Sequence, residues 1–213
     1  GSGDAIAISA AQNNAFRAIN EAWRNGATVS FEPGLPGTEG EPGTSGRYLV
    51  RGLDDRTTNQ LVESLALQAE RTNARGTGFD QPRIGMFRPW RASMDEGWTR
   101  WLLEQYGFDF VSMRNHDFQN GALSKRFDVI VLADYGSRQI VDGIMPGSVP
   151  ARYAGGIGQE GVRALDEFVR AGGTLVCMNS SSDFAIEHLR LPVRNVTADL
   201  GRGEFFSSGS ILE

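Results

Sequence analysis

Apolar residues recur at helical spacing near the start of the chain, where Phe16, Ile19 and Trp23 predict a helix over Ala10–Arg24, with Gly26 placed as its C-terminal stop. Ala27–Phe31 and Arg47–Val50 then predict short strands, and Leu61, Leu65 and Ala69 predict a second helix. The glycines and prolines of Glu32–Gly46 sustain no regular structure and predict an exposed loop. The polar run Thr72–Gln81 predicts a linker, which puts a domain boundary between a small α+β part at 4–80 and a second domain at 81–213.

Beyond that boundary strand and helix patterns alternate, the signature of a mostly parallel sheet with helices on both faces. Arg83–Phe87, Asp109–Met113, Asp128–Ala133 and Thr174–Met178 predict the strands. Ser93 and Glu96 have capping-box spacing ahead of a helix carrying Trp98, Trp101 and Leu102, whose indoles are expected to pack that helix onto the sheet. Val162, Leu165, Phe168 and Val169 form one stripe of a further helix that Gly172 and Gly173 end, and a shorter helix is predicted over Asp183–Leu189. Ser137–Gln159, with Pro146, Pro150 and several glycines, reads as a long surface excursion.

Charge and composition narrow the function. A formal charge of -5 disfavours a general phosphate-backbone binder, so nucleic acid is not an expected partner. A single cysteine, Cys177, excludes an internal disulfide and a multi-cysteine metal site. No apolar run is long enough for a membrane span. Gly1-Ser2-Gly3 reads as an appended remnant, and the apolar Gly209–Glu213 as a cut end.

In open α/β sheets ligands bind beyond the carboxyl ends of the strands, which places Arg88, Trp90, Ser93 and Asp95 where a site would form. Asp134 and Tyr135, after the third strand of this part, and Asn179, after the fourth, complete a candidate binding set with Arg88 and Trp90. Asp134 with Asp95 suits an acid/base pair or a cation site; alternatively, Asp95 serves only the positive end of its helix. An arginine beside a flat aromatic at a crevice rim suits a carboxylate-bearing ligand, a peptide or a carbohydrate.

Catalytic candidates are weaker. Ser180 and Ser181 follow the last strand, where a nucleophile elbow would lie, but the positions two residues to either side are not the glycines that such a turn uses. The alternative is that these serines cap the next helix. Only His116 and His188 are available as a base, and of these His116 lies nearer the crevice. Cys177 falls inside its strand and reads as a small buried hydrophobe. No zinc motif is present, so neither a metal nor another cofactor is expected in this chain.

The runs RIGMFRPWRASMDEGWTRWLLEQYGFDF and FVRAGGTLVCMNSSSDFAIEHLRLPVRNV, with the terminal FFSSGSIL, are similar to the region C-terminal to the catalytic domain in large bacterial zinc carboxypeptidase-like proteins, a region that resembles a class I glutamine-amidotransferase-like domain. The likeness spans Arg83–Leu212 and extends more loosely over Ala10–Arg71. It implies a three-layer, flavodoxin-like parallel sheet, an extracytoplasmic bacterial parent of the carboxypeptidase A-like metallopeptidase family, and a peptidase domain of the same parent chain as partner. The zinc belongs to that peptidase domain, whose motifs have no counterpart here. Where the amidotransferase pattern has a cysteine at the elbow this chain has serines, and the late His-x-Glu pair has no match, so the resemblance implies a non-catalytic accessory domain. A ligand-binding module and a degenerate serine hydrolase or amidotransferase are the other two readings.

Overall fold

The computed structural model describes residues 2–37, 43–201 and 203–206. The chain divides into two compact units, Gly1–Arg83 with Trp98–Phe110, and Ile84–Gly97 with Val111–Glu213. It is a mixed α/β protein with one antiparallel and one parallel sheet. The terminal segment Gly209–Glu213, read above as a cut end, lies outside the described residues.

The first unit is built on strands β1 (Ala5–Ser9), β2 (Thr28–Glu32), β3 (Arg47–Arg51), β4 (Ala69–Thr72) and β5 (Thr77–Phe79) in the order β4-β1-β3-β2-β5. Every pairing is antiparallel, and the register sets Ile6 and Val29 opposite Val50. Helices α1 (Asn14–Arg24) and α2 (Asp55–Ser64) lay Ala15, Ala18, Ile19, Ala22 and Leu61 onto Ile6, Ile8, Val29 and Val50. Asp54 starts α2 by accepting the Thr57 N–H at 2.7 Å, a side-chain cap that settles one orphan donor of the first turn.

One expectation fails in this unit: Ala69 belongs to β4, not to α2. The polar run Thr72–Gln81, read as the domain boundary, contains β5. Both strands are sheet edges, and an edge strand needs no apolar alternation, so β4 and β5 carry polar and exposed residues that read as loop.

The second unit holds β6 (Ile84–Phe87), β7 (Phe110–Met113), β8 (Val129–Leu132) and β9 (Thr174–Cys177) in the order β7-β6-β8-β9. The chain steps outward from β6 to β7, then returns past β6 to β8 and β9, so the strand order reverses between β6 and β8. Phe87, Ile130 and Leu132 point to one face, where α4 (Asn115–Gln119), α5 (Leu123–Arg126), α6 (Ser137–Val141), α7 (Gly158–Arg170) and α8 (Ser181–His188) supply Phe118, Leu123, Ile140, Leu165, Phe168 and Phe184. Gly85 lies on that same face; a Cβ there would run into the Met113 sulfur and stand 3.1 Å from the Phe127 ring. At the end of α7, Gly172 takes φ +95°, which lets the chain reverse into β9 without strain.

The span Ser137–Gln159 is not the featureless excursion expected. It contains α6 and a short 3₁₀ turn at Ala151–Tyr153, and it buries Ile140, Val141 and Ile157. Asn115 Nδ2 donates to the Gly155 carbonyl at 2.8 Å, tying the span to α4. The prolines and glycines that suggested a surface loop serve tight turns inside a folded segment.

Helix α3 (Met94–Gln105) joins the two groups of residues, and from Trp98 onward it belongs to the first unit. Ser93 Oγ accepts the Glu96 N–H at 3.2 Å, as the capping spacing predicts. The indoles, however, do not pack onto a sheet. Trp98 is 62% and Trp101 51% exposed, and the half-buried side of the helix runs instead through Thr99, Arg100, Leu103 and Tyr106. Its polarity is inverted relative to the amphipathic rule, with a mixed face inward and an aromatic stripe outward.

Candidate functional site

The reversal of strand order between β6 and β8 marks the place where an open parallel sheet offers a crevice at its carboxyl edge. Around it stand the residues that follow β6, β8 and β9: Arg88 and Trp90, Asp134 and Tyr135, and Asn179.

Trp90 is half-buried and held on two sides. The Arg114 guanidinium lies 3.9 Å from the centre of its ring, and the Tyr153 ring meets it edge-on with centroids 4.8 Å apart. Arg114 is itself fixed, donating through Nη1 to the carbonyls of Arg88 at 2.9 Å and Pro89 at 2.8 Å. Such a clamp holds the indole in place before any ligand arrives. Arg114 and Tyr153 were not among the sequence candidates. Arg114 had a findable signal, being the first residue after β7; Tyr153 had none, since only the fold of Ser137–Gln159 brings it to Trp90.

Tyr135 is half-buried against Phe87, with ring centroids 6.4 Å apart. Burial pushes its hydroxyl above the usual tyrosine range, and the positive charge of Arg91 pulls it partly back. Arg88 and Arg91 are both exposed, and among the described residues neither guanidinium has an ion-pair partner.

The turn after β9 has a geometry that centring on the serines missed. Asn179, at φ +47°, is the residue in the left-handed region, and the positions two to either side of it are the small residues Cys177 and Ser181. An elbow centred on the left-handed residue would fall on Asn179, one residue earlier than Ser180, with no glycine at either flanking position. Asparagine is among the few residues that tolerate this conformation, which was the signal available in the sequence. Its amide Nδ2 donates to Asp134 Oδ2 at 2.6 Å, and the Ser180 N–H donates to Asp134 Oδ1 at 3.1 Å. Asp134 thus serves the start of α8. The expectation that the serine side chains cap this helix is corrected: Ser180 occupies the cap position without a side-chain cap bond.

The remaining catalytic candidates are dispersed. Ser181 is fully buried, and its one hydroxyl proton has the carbonyls of Leu132 at 2.9 Å and Met178 at 2.8 Å as alternative acceptors. His116 is exposed on α4, with Nε2 3.6 Å from Asp117 Oδ2. His188 leans on the Phe184 ring at 5.2 Å. Among the described residues no hydrogen bond joins either imidazole to Ser180 or Ser181. Cys177 packs against the core, and burial pushes its thiol up to about 11, with only partial relief from Ser181. Asp95 is exposed in the first turn of α3.

Among the described residues, no group of three or more His, Cys, Asp or Glu converges as metal ligands would, and no helix is long and apolar enough to cross a membrane. The class that fold and site define is a two-unit α/β protein whose second unit carries polar and aromatic residues after the strands that flank the β6/β8 reversal. No protein-family model matches the chain, and no curated protein matches it in sequence.

Proposed function

We propose that this chain is a non-catalytic accessory module, its second unit a flavodoxin-like relative of the class I glutamine amidotransferases, that supports or presents substrate to a peptidase domain of a zinc carboxypeptidase-like parent. The observation that carries the non-catalytic part is the occupant of the elbow. The strained position that a nucleophile would hold is Asn179, locked by its amide to Asp134. The Ser181 hydroxyl is buried against the carbonyls of Leu132 and Met178, either of which takes its one proton, and the Cys177 thiol is held protonated at neutral pH. The peptidase partner, its zinc and an extracytoplasmic setting rest on the resemblance of Arg83–Leu212 alone. Two tests bear on this reading. The chain should turn over glutamine, aryl esters and peptides no faster than its Cys177→Ala, Ser180→Ala and Ser181→Ala variants, and turnover lost in any one of them would overturn it. The parent reading frame should encode a His-x-x-Glu zinc domain upstream, and its absence there removes the peptidase partner.

A second reading is favoured by one observation. Arg88 and Arg91 present uncompensated guanidinium groups beside a pre-clamped Trp90, an arrangement suited to a carboxylate on a flat or apolar ligand. In that reading the crevice edge binds the free C-terminus of a peptide, with an acidic carbohydrate as the competing ligand. Amide chemical shifts of Arg88–Arg91 should move with a peptide bearing a free C-terminus and stay still with its C-terminally amidated form. Equal responses to both peptides would sink the carboxylate assignment.

A further inference from the structure

Helix α3 carries an exposed apolar stripe that the candidate site does not use. On α3, Trp98 and Trp101 stand edge to face with ring centroids 5.9 Å apart and are more than half exposed, and Leu102 beside them is 50% exposed. At Leu102 this stripe meets a groove of about 320 Å³ lined by Asn13, Phe16, Leu102, Leu103, Tyr106 and Phe108. All of these residues belong to the first unit. Scattered exposed leucines are ordinary, but two adjacent exposed indoles bordering an apolar groove are not.

We propose that this face is an interface between two copies of the chain related by a two-fold axis, with one indole of each copy seated in the groove of the other. Two features select a second copy as the occupant. The first is self-complementarity: a two-fold interface requires that a projection and its receptacle lie on the same patch, and Leu102 belongs to both. The groove is large enough for one indole, and its wall is almost wholly apolar apart from Asn13. The second is area. Trp98, Trp101 and Leu102 leave roughly 400 Å² of apolar surface in water per copy. Two such faces with their groove walls approach the roughly 1,000 Å² at which specific association begins, which sets the expectation of a weak, concentration-dependent dimer.

Sedimentation equilibrium over a concentration series tests this directly. The expected result is a shift from one to two chain masses with a midpoint on the order of 10 µM, abolished in Trp98→Glu and Trp101→Glu and retained in Leu35→Ser, which alters a still more exposed apolar residue elsewhere. Because both tryptophans face water, the glutamate variants should keep the parent circular dichroism spectrum. The geometry gives a second test: Leu102 lies next to the axis, so Leu102→Cys in a Cys177→Ala background should form a disulfide dimer under mild oxidation, whereas an exposed cysteine at Leu35 should not. A monomer at every concentration overturns the proposal, as does a dimer indifferent to both glutamate variants. A monomer that buries its indoles only on binding a different protein or a glycan also overturns it, and assigns the face to that partner.

Discussion

Removing the Asp134 carboxylate should destabilise the second unit more than its partly exposed position suggests, because it holds two donors at a strained turn. It accepts from Asn179 Nδ2 at 2.6 Å and from the Ser180 N–H at 3.1 Å. Hydrogen bonds to charged groups contribute about 1.5–3 kcal/mol each when buried, and partial exposure puts these at or below the lower end. Asp134→Ala is therefore expected to cost about 2 kcal/mol, and Asp134→Asn about as much, since the new amide would turn a donor toward one of the two N–H groups. Asn179→Ala loses one of the bonds and places a Cβ residue with no compensating polar group at φ +47°, for a total of about 2 kcal/mol. Asn179→Gly relieves the backbone and should recover about 1 kcal/mol of that. Because the two residues share a bond, the double variant Asp134→Ala/Asn179→Ala should fall short of additivity by about 1 kcal/mol. Urea unfolding followed through amide resonances of the second unit reads these values without mixing in the first. The reasoning is refuted if Asp134→Ala lies within 0.5 kcal/mol of the parent on the scale of ordinary surface substitutions, or if Asn179→Gly is no more stable than Asn179→Ala.

Three further outcomes follow from the same region. Ser181→Ala should cost about 1 kcal/mol by urea unfolding, since each carbonyl that its hydroxyl serves also accepts a backbone N–H; a loss well beyond that would mean the hydroxyl does more than pack. The Cys177 thiol, raised from 9.0 to about 11 by burial, should react with iodoacetamide at pH 8 about 100-fold more slowly than a free thiol. Since the folded state holds this proton more tightly than the unfolded state does, the stability from Cys177 is fully present below about pH 9 and is lost as pH rises toward 11, and Cys177→Ala should flatten that part of the stability profile. Gly85→Ala should lower the thermal midpoint of the second unit at a cost of about 1–3 kcal/mol, and should cost less when made in a Met113→Ala background than in the parent, because the added Cβ meets the Met113 side chain first.

What could be read along the chain depended on whether burial and pattern agreed. Strands β6, β8 and β9 were legible because they are short apolar runs between turn residues, and α1 and α7 because Phe16-Ile19-Trp23 and Val162-Leu165-Phe168 keep strict helical spacing. Strands β4 and β5 were not, since an edge in water imposes no apolar alternation on AERT or TGF. The stripe on α3 obeyed the helical period but was assigned to the wrong side. Period alone reports that a helix has two faces; which one is buried is decided by tertiary packing, and here the inward face is the mixed one. Strand position in the sequence already set Arg88 and Trp90 after β6, Asp134 and Tyr135 after β8, and Asn179 after β9. Arg114 and Tyr153 complete the clamp on Trp90 from elsewhere in the chain.

The crevice edge separates into two kinds of polar group, and the separation constrains what it can do. On the β8/β9 side Asp134 and Asn179 satisfy one another, with the Ser180 N–H joined to them. A ligand arriving there would have to break a charge-assisted bond before making its own. On the β6 side the charges of Arg88 and Arg91 face water without an ion-pair partner, while the aromatic beside them is immobilised by Arg114 and Tyr153. Binding on this side costs little reorganisation, since the indole has no rotamer left to lose and the guanidinium groups have no competing carboxylate to leave. General acid or base chemistry needs a titratable group within reach of the bound ligand and free to exchange its proton. The one carboxylate of the set already accepts from the Asn179 amide and the Ser180 N–H, so a ligand seated on the β8/β9 side would have to displace one of them.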